Sequence, residues 1–331
     1  MPSTIHVSAP GKLMLLGEHA VVHGRPCLVT AMDSRLHMTL TRTGDDRFTI
    51  DAPDVGTSGV TGRLADAFRD GRALARGTRF IESALHAFAG QIGLEGGVAI
   101  TTRSDFSSQL GLGSSSATVA CTLFGLARLQ GVDLAPDRLF DLGLEAIRRV
   151  QGTGSGFDLA AAIFGGTLYY ENAAPRRIEP LDTPGLPLVA AYSGIKADTA
   201  TYVGRVNARL AAYPAAVEHV FEAMRALVIS GREALVQGNW ARLGELLDMG
   251  HGLTHALGVD IPQTAALVFA AREAGACGAK LSGAGGGDCV IALATDDRRA
   301  DVERALEAAG GTLVRVPPNA PGVRVEAENS P

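Results

Sequence analysis

Apolar and polar positions divide this chain into alternating short strands and helices. Residues 5–16 read as strand, turn and strand, broken by Ala9-Pro10-Gly11. Leu36, Met38 and Leu40 alternate with polar residues, the period of a half-buried strand. Phe80, Ile81, Ala84, Leu85, Phe88 and Ile92 recur at helical spacing and predict a helix, and 98–102 reads as another strand. Residues 114–130 are apolar on nearly every face, which predicts a helix buried in the middle of a domain. A second helix starts near Pro136 and carries Leu139, Phe140, Leu144 and Ile147. Gly165-Gly166 then separates an apolar segment at 159–164 from a strand at 167–170.

The stretch 173–187 holds four prolines and little periodicity, so it is the expected linker. Beyond it the pattern predicts a strand at 188–192, long helices over 199–250, and a helix entered at Pro262 and ended at Gly275. A strand at 289–294, a helix over 297–309 and final strands complete the chain. Strands and helices alternate without a regular βαβ rhythm, so the expected class is α+β, with domains at 1–182 and 183–331.

Composition narrows the classes of function. The 331 residues are 46% hydrophobic and 20% charged, ordinary values for a globular protein. A net charge of -5 offers no footprint for nucleic acid or an anionic membrane. An apolar run of about 20 residues, as a membrane span needs, is missing, as is a secretion-type leader pattern. The expected setting is cytoplasmic, with neither membrane nor nucleic acid as partner. Cys27, Cys121, Cys277 and Cys289 are scattered without metal-ligand spacing and read as buried free thiols. Of 30 Lys plus Arg only Lys12, Lys196 and Lys280 are lysine, and each lies in or beside a glycine-containing segment. Against such an arginine bias, a lysine points to a place where a compact ammonium is wanted.

The 41 glycines cluster in three places. Gly111-Leu112-Gly113-Ser114-Ser115-Ser116 runs straight into the buried helix. Small residues let backbone approach a ligand, first-turn N–H groups attract an anion, and hydroxyls can bond phosphate or ligate Mg²⁺. It is neither the lysine-ended P-loop nor G-x-G-x-x-G, and an ordinary serine-capped helix also fits these residues. Gly283-Ala284-Gly285-Gly286-Gly287 has four glycines in five positions between apolar flanks, so a close backbone approach fits it better than a surface loop. Gly152 to Gly156 leads to Asp158, which reads either as a helix N-cap, the commoner role, or as a base for a substrate hydroxyl.

Together these segments resemble the GHMP kinase superfamily, and within it most of all the mevalonate kinases. The resemblance rests on Ala9-Pro10-Gly11-Lys12 through Gly24, on Gly111 to Ser115, and on Lys280-Leu281-Ser282-Gly283-Ala284-Gly285-Gly286-Gly287, in that order. It implies an N-terminal domain like ribosomal protein S5 domain 2, a ferredoxin-like C-terminal domain, and an active site in the cleft between them. It further implies ATP and Mg²⁺ as cofactors. Residues Gly111, Leu112, Gly113, Ser114, Ser115 and Ser116 would wrap the nucleotide phosphates, with Ser115 near the metal. Asp158 and Lys12 would be catalytic. Glu18, His19, Lys196, Ser282, Gly283 and Ala284 would face the substrate. A homodimer is compatible with such a kinase.

The substrate is less sharply drawn. Many mevalonate kinases carry a metal-binding glutamate 11 residues before the aspartate, where this chain has Ile147; Glu145 is the nearest upstream carboxylate and becomes the metal candidate. Gln151-Gly152, Gly154 to Asp158, and Asp288 look more like phosphomevalonate kinases, whereas the N-terminal motif and Leu257-Gly258-Val259 resemble mevalonate kinases. A phosphorylated substrate needs extra cations, and Arg148, Arg149 and Lys196 are the candidates. The expectation is mevalonate, with phosphomevalonate second and a decarboxylase or a non-catalytic sensor behind.

Overall fold

A computed structural model describes residues 2–67, 74–183, 185–315 and 317–327, arranged as two sheets with helices against each. The first sheet takes β1 (Thr4–Leu16), β2 (Cys27–Thr43), β3 (Arg47–Ala52), β4 (Thr57–Arg63), β5 (Gly97–Ser104), β6 (Thr167–Glu171) and β7 (Arg177–Leu181). Helices α1 (Leu64–Ala67), α2 (Arg79–Gln91), α3 (Ser114–Gln130), α4 (Pro136–Gln151) and α5 (Phe157–Phe164) are interspersed. β8 (Leu188–Tyr192) opens the second sheet, and α6 (Thr199–Ala212), α7 (Pro214–Val236), α8 (Trp240–Ala256) and α9 (Pro262–Glu273) follow it. Then come β9 (Gly278–Ser282), β10 (Cys289–Leu293), α10 (Asp296–Ala308), β11 (Thr312–Leu313) and β12 (Arg324–Val325).

The second sheet is antiparallel in the order β11-β8-β10-β9. In chain order that is fourth, first, third, second, with helices after the first and third strands, which is the ferredoxin-like arrangement. Its central strands, β8 and β10, read as unbroken apolar runs because both faces are covered. Leu188, Ala190, Ile291 and Leu293 face one core with the helices α7 and α8, while Val189, Ala191, Val290 and Ala292 face another with α9 and α10.

The expected strand, turn and strand at the N-terminus is one long strand. β1 pairs with β2 throughout, with a register irregularity between Pro10 and Gly11. That irregularity exchanges the faces of the strand. Before it Val7 and Ala9 point into the core under α2 to α5; after it Met14 does, while Leu13 and Leu15 turn to the core shared with α7 and α8. The helix over 114–130 is α3, with Val119, Leu123, Leu126 and Leu129 all fully buried.

The expected linker at 173–187 is only partly irregular, since Arg177–Leu181 forms β7 against β6. Two prolines inside or beside that short strand hid its alternation. β9 was hidden for another reason: Lys280 interrupts a wholly buried strand. The chain passes from the first sheet to the second between β7 and β8, and its tail crosses back. Pro318 and Pro321 bridge to Met32 and Gly165, and β12 pairs with β1. Arg35, buried beneath this tail, donates to the carbonyls of Ser8, Pro321 and Gly322 and so fastens it to the first sheet. Among the described residues no helix is long and apolar enough to cross a membrane.

Candidate active site

A cleft of about 730 Å³ lies where the two sheets meet. It is large enough for a nucleotide-sized ligand together with a small acceptor. Its floor is laid by the bulge in β1. Just past the bulge, Lys12 N–H donates to the Leu112 carbonyl at 2.9 Å, which ties the strand to the glycine–serine loop. The Lys12 ammonium then reaches the Gly111 carbonyl at 3.2 Å and meets Asp158 Oδ1 at 3.1 Å as an ion pair. It also lies 5.3 Å from the centre of the Phe157 ring.

Asp158 is not an N-cap. Gly156 occupies that position in the left-handed region at φ 90°, and no side chain caps α5. Asp158 sits in the first turn instead, where the helix dipole favours its negative charge and the strand lysine is in reach. The serine-cap reading of α3 also fails. Its N-cap is Gly113 at φ 81° with no side-chain cap, so the start of the helix opens on the cleft beside the serine hydroxyls.

Of the expected residues, Gly111, Gly113, Ser114, Ser115, Ser116, Lys12, Asp158, Glu18, His19, Lys196, Gly283 and Ala284 all line this cleft. Three do not. Leu112 is buried in the core between the sheets, and only its carbonyl serves the site. Ser282 is consumed by a clasp: its hydroxyl accepts from Met14 N–H at 3.0 Å and donates to Met14 C=O at 2.9 Å, stitching β9 to β1. Glu145 lies on the outer face of α4, where Gln91 donates to it. It borders a separate shallow depression with Asp141, Arg148, Arg149 and Arg176. The reason is rotation: two residues along a helix turn a side chain by roughly 200°, so Ile147 faces the cleft and Glu145 faces away. Arg148 and Arg149 turn away with it, and of the three proposed extra cations only Lys196 remains in the cleft.

Glu18 and Lys280 form a buried ion pair at the back of the site, the carboxylate 2% and the ammonium 0% exposed. Lys280 was noticeable as one of three lysines, but nothing in the sequence joined it to Glu18. Burial pushes its pKa down, and Glu18 opposes this. The roof of the cleft is the inner face of α6, with Thr199, Val203, Gly204 and Asn207. Arg79 also lines the cleft from the start of α2. No motif pointed to either element.

His19 holds the unusual φ of 60° and faces the Ala284 carbonyl with Nε2 at 2.9 Å. A carbonyl can only accept, so Nε2 carries the proton and Nδ1 keeps its lone pair. Burial lowers the pKa of His19 to about 4, so the ring is neutral at pH 7. The folded value lies below the usual 6.5, so between these values the unfolded chain binds more protons and folding stability is lost as pH falls. One such proton contributes a slope of about 1.4 kcal/mol per pH unit. His251 is shifted the same way, first by burial, so part of the slope survives without His19. His19→Gln is expected to flatten the stability curve between about pH 4.5 and 6 by roughly that amount, read from urea midpoints. An unchanged slope would show that His19 titrates normally.

Comparison with known proteins gives this cleft a context. The GHMP kinase N-terminal domain family matches residues 79–166, and the GHMP kinase C-terminal family matches residues 232–312. Mevalonate kinase from Pyrococcus horikoshii is 34% identical over 339 residues, covering 98% of this chain and 99% of its own. Mevalonate kinase from Thermococcus sibiricus is 33% identical over 328 residues, covering 96% and 97%. Among solved structures, L. major mevalonate kinase in complex with R-mevalonate superposes with a TM-score of 0.77 at 26% identity over 95% of each chain. Similarity of this extent, over both sheets and all three glycine clusters, makes the chain a member of the GHMP kinase family, the ATP-dependent small-molecule kinases.

Proposed function

We propose that this kinase transfers the γ-phosphoryl group of ATP to the 5-hydroxyl of mevalonate, giving 5-phosphomevalonate and ADP. The observation that carries the reading is the Lys12–Asp158 pair at 3.1 Å, facing the open start of α3 within one cleft. Phosphoryl transfer asks mainly for alignment and for neutralisation of charge on the phosphoryl oxygens. The glycine–serine loop from Gly111 to Ser116 receives the triphosphate through backbone N–H groups and hydroxyls. Asp158 accepts the proton of the acceptor hydroxyl as its oxygen bonds to phosphorus and the β–γ bridging oxygen leaves with ADP. Lys12 stabilises the negative charge building on the hydroxyl oxygen. Glu18, His19, Gly283 and Ala284 shape the acceptor side.

Of the four carboxylates that line the cleft, three already have a cation: Asp158 has Lys12, Asp288 has Lys196, and Glu18 has Lys280, while Asp198 accepts from the Thr201 hydroxyl. Among the described residues no three His, Cys, Asp or Glu side chains gather as a metal cage. This donor set suits a Mg²⁺ that arrives on the nucleotide and takes a protein hydroxyl, Ser115 being the candidate, rather than a dedicated protein site. Such an ion would neutralise the phosphate oxygens. We place the functional units at 1–182 and 183–331, with the tail from Pro318 completing the first.

Mevalonate is favoured over phosphomevalonate because Arg148 and Arg149 lie outside the cleft, which removes two of the three cations a second phosphate would use. The test is ADP release with each substrate side by side, with CO₂ followed in parallel. Mevalonate is expected to support turnover at least tenfold better in kcat/KM, without CO₂. Turnover confined to phosphomevalonate would overturn the choice, and CO₂ release would make the protein a decarboxylase.

A further inference from the structure

We infer that Asp288 is a positioning residue, a keystone that holds the Lys196 ammonium and the loop before α6 against the glycine–serine loop, so that Lys196 meets the phosphoryl group being transferred. The inference rests on the ATP-dependent transfer described above, but not on the identity of the acceptor. Asp288 is only 6% exposed and stands at φ 54° directly after the last glycine cluster. One carboxylate oxygen receives both Lys196 Nζ at 3.2 Å and Ala197 N–H at 3.0 Å. The other lies against the first glycine of the loop: a Cβ on Gly111 would come within 2.3 Å of Asp288 Oδ2. Its backbone is pinned as well, N–H donating to Ile195 at 2.8 Å and C=O accepting from Ser193 at 2.9 Å. The adjacent Cys289 thiol donates to the Leu110 carbonyl at 3.2 Å.

One side chain therefore joins three segments that the sequence keeps far apart. Left alone, a carboxylate in that place would repel a triphosphate. Paired, it presents a cation that lines the cleft and whose side chain is still 46% exposed. A lysine suits the task because its ammonium can exchange one oxygen partner for another by rotation of a flexible stem. When the γ-phosphate enters, Lys196 can bridge it to Asp288, and the bridge lends the loop before α6 a reason to settle over bound ATP and not over ADP.

The test uses Asp288→Asn, Lys196→Ala, the double variant and Lys196→Arg. Asparagine tolerates the left-handed backbone and can still accept from Ala197 N–H, so this variant isolates the charge. Two readings are taken: the affinity ratio of a non-hydrolysable ATP analogue to ADP by calorimetry, and kcat with the accepted substrate. Asp288→Asn and Lys196→Ala are each expected to reduce the ratio and to lower kcat by about 10-fold or more, as loss of one cation contact does. The double variant should fall no further than Lys196→Ala, and Lys196→Arg should recover part of the loss. Additive effects, or losses in thermal stability alone, would overturn the proposal and leave Asp288 a purely structural residue. A raised Mg²⁺ requirement in Asp288→Asn but not in Lys196→Ala would overturn it in favour of a metal ligand. The analogue-to-ADP ratio needs no acceptor, so failure of the mevalonate reading would appear only in the second measurement.

Discussion

Asp158→Asn is expected to lower kcat by about 10³-fold, within the 10²–10⁴ range for loss of a positioned general base. Asparagine keeps the size of the side chain at the first turn of α5 but can neither take the hydroxyl proton nor balance the Lys12 ammonium 3.1 Å away. A factor of this size corresponds to about 4 kcal/mol of transition-state stabilisation. Binding of a non-hydrolysable ATP analogue should change little, because the glycine–serine loop and the start of α3 are untouched. Lys12→Met should cost a similar factor, and the double variant should cost much less than the product of the two, since the residues act as one unit. A loss in Asp158→Asn below about tenfold would reduce the aspartate to a minor electrostatic role and move proton removal to another group or to water.

Glu18→Gln is expected to destabilise the fold by about 3–5 kcal/mol, the usual consequence of leaving a buried charge without its partner. Lys280 is fully buried in the middle of β9, and besides Glu18 its ammonium reaches only the Leu281 carbonyl among the bonds described. The amide of glutamine offers an oxygen but no charge. Lys280→Met alone should be about as harmful, because it strands the Glu18 carboxylate at 2% exposure. Replacing both together should restore most of the lost stability, since the glutamine–methionine pair leaves no charge buried without a partner. Denaturant midpoints of the four proteins form the cycle that checks this, and single losses under about 1 kcal/mol would mean that water reaches the pair. Activity should not return with stability in the double variant, because Glu18 also lines the cleft.

The parts of this site that sequence reading reached share a physical trait: each is a local composition that few other structures tolerate. A glycine–serine run entering an all-round apolar helix is legible because backbone approach and helix burial depend on neighbours in the chain. Lys12 was legible through the scarcity of lysine. Errors arose wherever orientation mattered. Glu145 was only two positions from the cleft-facing Ile147, yet helical rotation sends it to the outer surface, where Gln91 engages it. Ser282 had the right neighbours, but the hydroxyl turns back to Met14 and joins the sheets. Asp158 has the composition of an N-cap, but Gly156 takes that position because the residue one step before the helix is left-handed.

By itself the sequence determined the α+β class, most of the helices, the three glycine clusters and the family, all of them properties carried by short-range pattern and by order along the chain. It could not determine which charges meet. Lys12 reaches Asp158 only because a bulge in β1 exchanges the faces of that strand. Glu18 reaches Lys280 only where the second sheet docks against the first, and Asp288 reaches Lys196 because β8 and β10 pair side by side within the second sheet. The tail after Pro318 returns to β1 for the same reason, as backbone pairing rewards partners near in space whatever their distance in sequence. Coulomb attraction and desolvation depend on distances of a few ångströms and on burial, and both are set by tertiary packing.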